Sequence, residues 1–211
     1  ALQWPAGTTD LTFKYFPDDI VNPTAIMLAR GVNGLRFWSS AGMAMPAYQR
    51  HSNAWMMQGS PYMAPLKVSI ALTTYLSSLE PLKNPDVDEA MVERGRTAFE
   101  RQECSSCHTP WLGMYTNQRV IPFDAIGSNG PGTTRMKDTG GIRVTPLLSI
   151  YATAPYLHDN SVKTLDDLLN PARLVEGSSI YRKPTTKHPP HPWVVKNPET
   201  RRVLVEFLES L

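Results

Sequence analysis

The chain has 211 residues, 41% of them hydrophobic, enough for one good core or two small ones. Its 21 Lys and Arg against 19 Asp and Glu leave a net charge of +2 with no dense basic stripe, so no nucleic-acid partner is expected. No apolar run approaches the roughly 20 residues of a membrane span, and none is expected.

Nineteen prolines and thirteen glycines predict long, ordered loops between helices. The chain opens on Ala1 without a signal peptide, as a processed exported protein or a trimmed sequence would. Residues 37–63 are rich in Met, Trp and Tyr but follow no helical or alternating period, and read as an irregular apolar loop cluster. Residues 66–79 predict a helix, with Ile70, Leu72, Leu76 and Leu79 apolar and Tyr75 in the same row. The prolines of residues 81–85 mark a linker. Asn84-Pro85-Asp86 then supplies a start signal for a helix over 87–103, where Met91, Gly95 and Phe99 recur at steps of four.

That helix runs directly into Cys104-Ser105-Ser106-Cys107-His108. Two cysteines separated by two residues, with histidine next, is the spacing that attaches c-type haem. Each thiol adds to a haem vinyl group, and the adjoining imidazole reaches the iron. One covalent haem c is expected, held by Cys104 and Cys107 and ligated by His108. These are the only cysteines in the chain. A thioredoxin-like redox pair would need a βαβ setting, and a zinc site a second Cys/His pair at ligand spacing; the sequence offers neither. Thioether attachment is extracytoplasmic in bacteria, so a periplasmic or extracellular location is expected.

A terminal helix over 198–210 has Asn197 as its cap and Pro198 at its first position, with Val203, Leu204, Phe207 and Leu208 on its apolar face. Tyr75-Leu76-Ser77-Ser78-Leu79 and Phe207-Leu208-Glu209-Ser210-Leu211 are near copies. This weak repeat suggests two units: a partial or degenerate cytochrome c-like unit over 1–83, and a haem-bearing cytochrome c domain over 84–211. The expected fold is mostly α, cytochrome c-like, with long irregular loops.

From Gly140 the chain reads GGIRVTPLLSIYATAPYLHDNSVKTLDDLLNPARL. Pro146, Leu147, Ala154, Pro155, Tyr156, Leu157, His158, Asp159, Ser161, Thr164 and Leu165 carry a run that resembles the di-haem cytochrome c peroxidase superfamily. The Tyr-Leu-His and Asp-Leu-Leu-x-Pro version is closest to its rubber-oxygenase-like branch. The resemblance spans residues 86–211 and, more faintly, 17–80, which is similar to the tail of a first haem domain. It implies a further CxxCH upstream, which this sequence lacks. A second haem, from an upstream segment or a partner chain, is therefore an open implication. Under it, Trp38, Trp55 and Trp111 are candidate relays, and His51, Met43, Met45 and Met63 candidate pocket residues.

The sixth position of the iron decides the chemistry, because a filled face favours electron transfer and an open one admits peroxide or oxygen. In the peroxidases this region resembles, a methionine follows the motif histidine by fourteen positions; here Ala172 stands there, between Pro171 and Arg173. The oxygenase-like branch instead places a ligand histidine one loop before the terminal helix. That resemblance implies His191, with His188 as the alternative. His158 suits a propionate or backbone contact better than the iron. Met136 and Met114 are further candidates, although methionine is a common core filler. Arg143 and Lys137 are candidates to meet haem propionates. The expected function is electron transfer through a bis-histidine haem c, with a redox partner protein or an upstream haem domain. The alternative is a di-haem peroxidase or oxygenase whose active haem lies in an upstream half or partner chain.

Overall fold

In the computed structural model, residues 8–9, 24–25, 29–35, 47–49, 51–52, 61–126, 141–157, 160–181 and 191–211 are described. Their elements run β1 (Thr8–Thr9), β2 (Thr24–Ala25), α1 (Leu66–Ser78), α2 (Glu89–Arg101), β3 (Val120–Pro122), α3 (Phe123–Ile126), β4 (Gly141–Arg143), α4 (Leu165–Leu169) and α5 (Pro198–Glu209). Short 3₁₀ turns at Cys104–Ser106, Trp111–Gly113, Ile150–Thr153 and Pro171–Leu174 punctuate the connections. The two-stranded sheets are antiparallel: Thr8 lies opposite Ala25, and Ile121 opposite Ile142. The fold is mostly helical with few strands and long loops, as expected.

Helix α2 starts two residues later than the periodicity suggests. Asp88 is its cap, accepting from the amides of Ala90 at 2.9 Å and Met91 at 3.2 Å. Asn84 instead closes a turn ahead of the helix by accepting from the Asp86 amide. An aspartate at the cap satisfies two orphan amides and favours the positive end of the helix dipole, an advantage Asn84 lacks. The helix buries Val92, Gly95, Ala98 and Phe99, with Met91 only partly covered. Helix α5 keeps its expected start: Asn197 Oδ1 accepts from the Thr200 amide at 2.9 Å, with Pro198 at the first position. Its stripe of Val203, Leu204, Phe207 and Leu208 is buried throughout.

These two helices pack against each other, and Gly95 sets their separation. A Cβ at this position would overlap the Val203 carbonyl and the Phe207 side chain, so the backbone of α2 lies directly on α5. Phe99, Tyr115 and Phe207 close the contact as three edge-to-face pairs, with centroids 5.3 to 5.8 Å apart. Arg94–Glu199 at 2.7 Å and the Asp88 amide on Glu206 at 2.6 Å tie the rims. Helix α4 is capped by Thr164, buries Leu165 and Leu169, and joins α5 through Arg201–Asp166 at 2.6 Å.

Helix α1 forms where expected, and its apolar row is covered only in part. Ile70 and Tyr75 are 48% and 59% exposed, whereas Ser69 is buried and Leu72, Leu76 and Leu79 are only partly covered. The inward row is polar because the His51 ring bonds Thr73 Oγ1 at 2.9 Å, and that hydroxyl donates to the Ser69 carbonyl at 2.7 Å. Ile70 and Tyr75 thus lie outward, while Ser69 and Thr73 lie on the side of His51. Among the described residues, no helix is long and apolar enough to cross a membrane.

Gly95→Ala forces a methyl into backbone atoms that cannot yield as a side chain could. We expect it to cost at least about 1–3 kcal/mol, read as a fall in the thermal midpoint; an unchanged midpoint would mean the helices are not in contact here.

Candidate functional site

Helix α2 ends in a sharp reversal. Glu103 takes a left-handed conformation (φ 59°), and Cys104–Ser106 winds into a 3₁₀ turn. The Cys104 carbonyl accepts from the amides of Cys107 at 3.3 Å and His108 at 2.9 Å, so one turn gathers both thiols and the imidazole. The Asn117 amide donates to the Cys107 carbonyl at 2.8 Å, pinning the turn to the following loop. That loop is itself held by Thr116, which is fully buried. Its hydroxyl donates to the Val144 carbonyl at 2.7 Å and accepts from the Gln118 amide at 3.1 Å.

Cys104, Cys107, His108, Arg143 and His191 all line one cavity of about 640 Å³. Its walls are otherwise mainly apolar, drawn from Ile142 and Val144, from Leu165, Leu168 and Leu169 of α4, and from Leu204 and Leu208 of α5. Ala29, Arg30, Gly31, Val32 and Leu35 add a wall from the N-terminal third. Volume and lining suit a bulky, largely apolar cofactor, since such pockets run from about 300 to 1,000 Å³.

The two histidines differ in how they are held. His108 Nδ1 lies 3.0 Å from the Tyr115 carbonyl, so this nitrogen carries the proton and Nε2 keeps its lone pair. Burial lowers its pKa, opposed by the Tyr115 and Thr145 backbone. His191 Nδ1 is buried and has no hydrogen-bond partner. Burial first, then the charges of His108 and Arg173, hold its pKa down to about 3. Both rings are therefore neutral at pH 7, the form that can donate to a metal. His191 sits at a left-handed backbone position (φ 49°), its amide bonded to the Ile126 carbonyl at 2.8 Å. Its ring meets Trp193 edge-on at 5.3 Å.

Arg143 is 3% exposed, and burial lowers its pKa to about 10, leaving it cationic at neutral pH. Burial pushes the Cys104 thiol up to about 11. Among the described residues, no group of three or more His, Cys, Asp or Glu could hold a metal ion. The residues fit a haem: two thiols in the wall, two neutral imidazoles, and a buried cation for propionates.

Other sequence candidates fall elsewhere. Met114 is 2% exposed and packed in the core outside the cavity wall. Ala172, Met63, Trp111 and His51 do not line the cavity either. His158, His188, Met136, Lys137, Met43, Met45, Trp38 and Trp55 lie outside the described residues. Two contributors escaped the sequence. Trp193 lines the cavity. Arg173 is fully buried, and its Nη2 donates to the His191 carbonyl at 2.7 Å. The only signal for Arg173 was an arginine set between apolar residues.

Residues 141–176 match a family described as RoxA-like, cytochrome c-like. No curated protein matches the sequence significantly. Among solved structures, a MauG-like protein associated with microbial copper homeostasis is similar at a TM-score of 0.61 and 14% identity, over 89% of this chain and 73% of that one. Hydrazine synthase from Kuenenia stuttgartiensis matches at a TM-score of 0.45 and 19% identity, over 71% of this chain. The chain spans 56% of that protein's length. Over residues 141–176 the family match bears out the resemblance to the di-haem cytochrome c peroxidase superfamily and its rubber-oxygenase-like branch, and the MauG-like structure bears out the mostly helical, cytochrome c-like fold.

Thr116→Val deprives the buried Val144 carbonyl of its hydroxyl donor and removes the Thr116 oxygen that the Gln118 amide bonds. We expect a loss of about 1–3 kcal/mol in urea unfolding; an effect below a few tenths would mean the loop is held by other bonds.

Proposed function

We propose that this chain, which is RoxA-like and cytochrome c-like over residues 141–176, is a c-type cytochrome carrying electrons through a single covalent haem. The observation that carries the reading is the meeting of Cys104, Cys107, His108, His191 and Arg143 on one apolar cavity. Cys104 and Cys107 would hold the haem through thioethers, and His108 and His191 would hold its iron. Arg143 meets a propionate. Haem supplies reversible one-electron chemistry at its iron when bound. The protein's part is to fix the axial pair, exclude water with the α4 and α5 walls, and supply a cation. Two imidazoles set a lower potential than an imidazole and a thioether, because nitrogen donates more strongly. Attachment by thioethers places the protein in the periplasm or outside the cell, where it serves a redox partner protein or an upstream haem domain.

A second reading is a peroxidase or oxygenase whose active haem belongs to an upstream half or partner chain. The RoxA-like match favours it, as does the MauG-like fold. The placing of His191 in the cavity wall favours the carrier, because a filled sixth position leaves no face for peroxide.

Expressed with a haem-maturation system, the protein should keep one haem per chain through acid-acetone extraction and denaturing electrophoresis. Cys104→Ala with Cys107→Ala should release that haem to the solvent. A haem extracted intact from the unaltered protein would rule out thioether attachment.

A further inference from the structure

We infer that Arg173 is the positioning residue for His191, orienting through the backbone an imidazole that no hydrogen bond to its Nδ1 orients. The inference deepens the proposed function and rests on His191 being the sixth ligand. Histidines that bind metals ordinarily donate their second ring nitrogen to a carboxylate, carbonyl or water, which fixes the ring. His108 follows that rule through Tyr115. His191 does not, since its Nδ1 is buried without a partner. The direction of its ring therefore falls to the backbone, which is held at φ 49°, a conformation uncommon outside glycine.

Arg173 supplies that hold. Its guanidinium is fully buried and bridges two segments: Nε donates to the Leu168 carbonyl at 3.0 Å, and Nη2 to the His191 carbonyl at 2.7 Å. Hydrogen bonds from a buried cation are short and about twice as strong as neutral ones. Leu168 belongs to α4, which forms part of the cavity wall. The fork thus ties the His191 loop to that wall. The arginine is itself placed by Asn170, whose Oδ1 accepts from the Ala172 amide at 3.0 Å and caps the turn at Pro171–Leu174. Beyond His191, the Val195 amide bonds the Leu169 carbonyl at 2.8 Å. The turn that holds Ala172, where the peroxidases this chain resembles carry a ligand methionine, does not line the cavity. It acts as a support for the histidine loop.

The test compares the ferric holoproteins of the unaltered chain, Arg173→Met, Arg173→Lys and His191→Ala by spin state and by titration with free imidazole. Arg173→Met should show a high-spin fraction and bind imidazole about tenfold more tightly than the unaltered protein. Arg173→Lys keeps the charge but replaces a planar fork with a single point, and should fall between them. His191→Ala is the reference for an open face. If His191→Ala turns high-spin while both Arg173 variants match the unaltered protein, the positioning role is overturned and the bis-histidine reading survives. If His191→Ala stays low-spin, the bis-histidine reading itself fails. Should Arg173→Met not fold, Arg173→Lys carries the comparison. Loss of haem and folded structure in both variants would overturn the inference in favour of a purely structural arginine.

Discussion

The close approach of α2 and α5 at Gly95 is the constraint on which the rest of the site depends. Because Gly95 has no side chain, the backbone of one helix rests on the Val203 carbonyl of the other. That contact fixes the end of α2, and the end of α2 delivers Cys104, Cys107 and His108 to the cavity rim. It also sets Phe207 against Phe99 and Tyr115, and the Tyr115 carbonyl fixes the His108 ring. A residue that packs a core and a carbonyl that orients an imidazole are here one residue. Packing and site geometry are coupled through it.

The second wall is built differently. Loop residues 191–195 are held by discrete bonds to Ile126, to Leu168 through Arg173, to Leu169, and to Arg201 of α5. His108 gains its orientation from the hydrogen bond at Nδ1, whereas His191 Nδ1 has no such bond and its ring meets Trp193 edge-on. On the proposed reading, one axial ligand belongs to the rigid helix pair and the other to a loop tethered by a buried cation.

Much of this was legible in the sequence where a motif or a period carried it. The CxxCH spacing located three cavity residues, and the stripe of Val203, Leu204, Phe207 and Leu208 identified the buried face of α5. The family motif pointed to the region at 141–176. Local rules were less reliable where two signals competed. Asp88 took the cap of α2 from Asn84 because it sits next to free amides and carries a charge. The apolar row of α1 identified a helix but not the contact of its polar side with His51, since the bond between His51 and Thr73 spans 22 residues and leaves no local trace. Arg173 escaped for the same reason: its role depends on a carbonyl 18 residues away that only the folded loop brings to it.

On the proposed function, the haem of this chain is closed on both faces by nitrogen. The low-temperature EPR spectrum of the ferric protein, integrated against total haem, tests it most directly. The account predicts one low-spin species with g values of two imidazoles, accounting for one haem per chain. A substantial high-spin component in the unaltered protein, or a second haem, would contradict it and move the weight to the peroxidase or oxygenase reading.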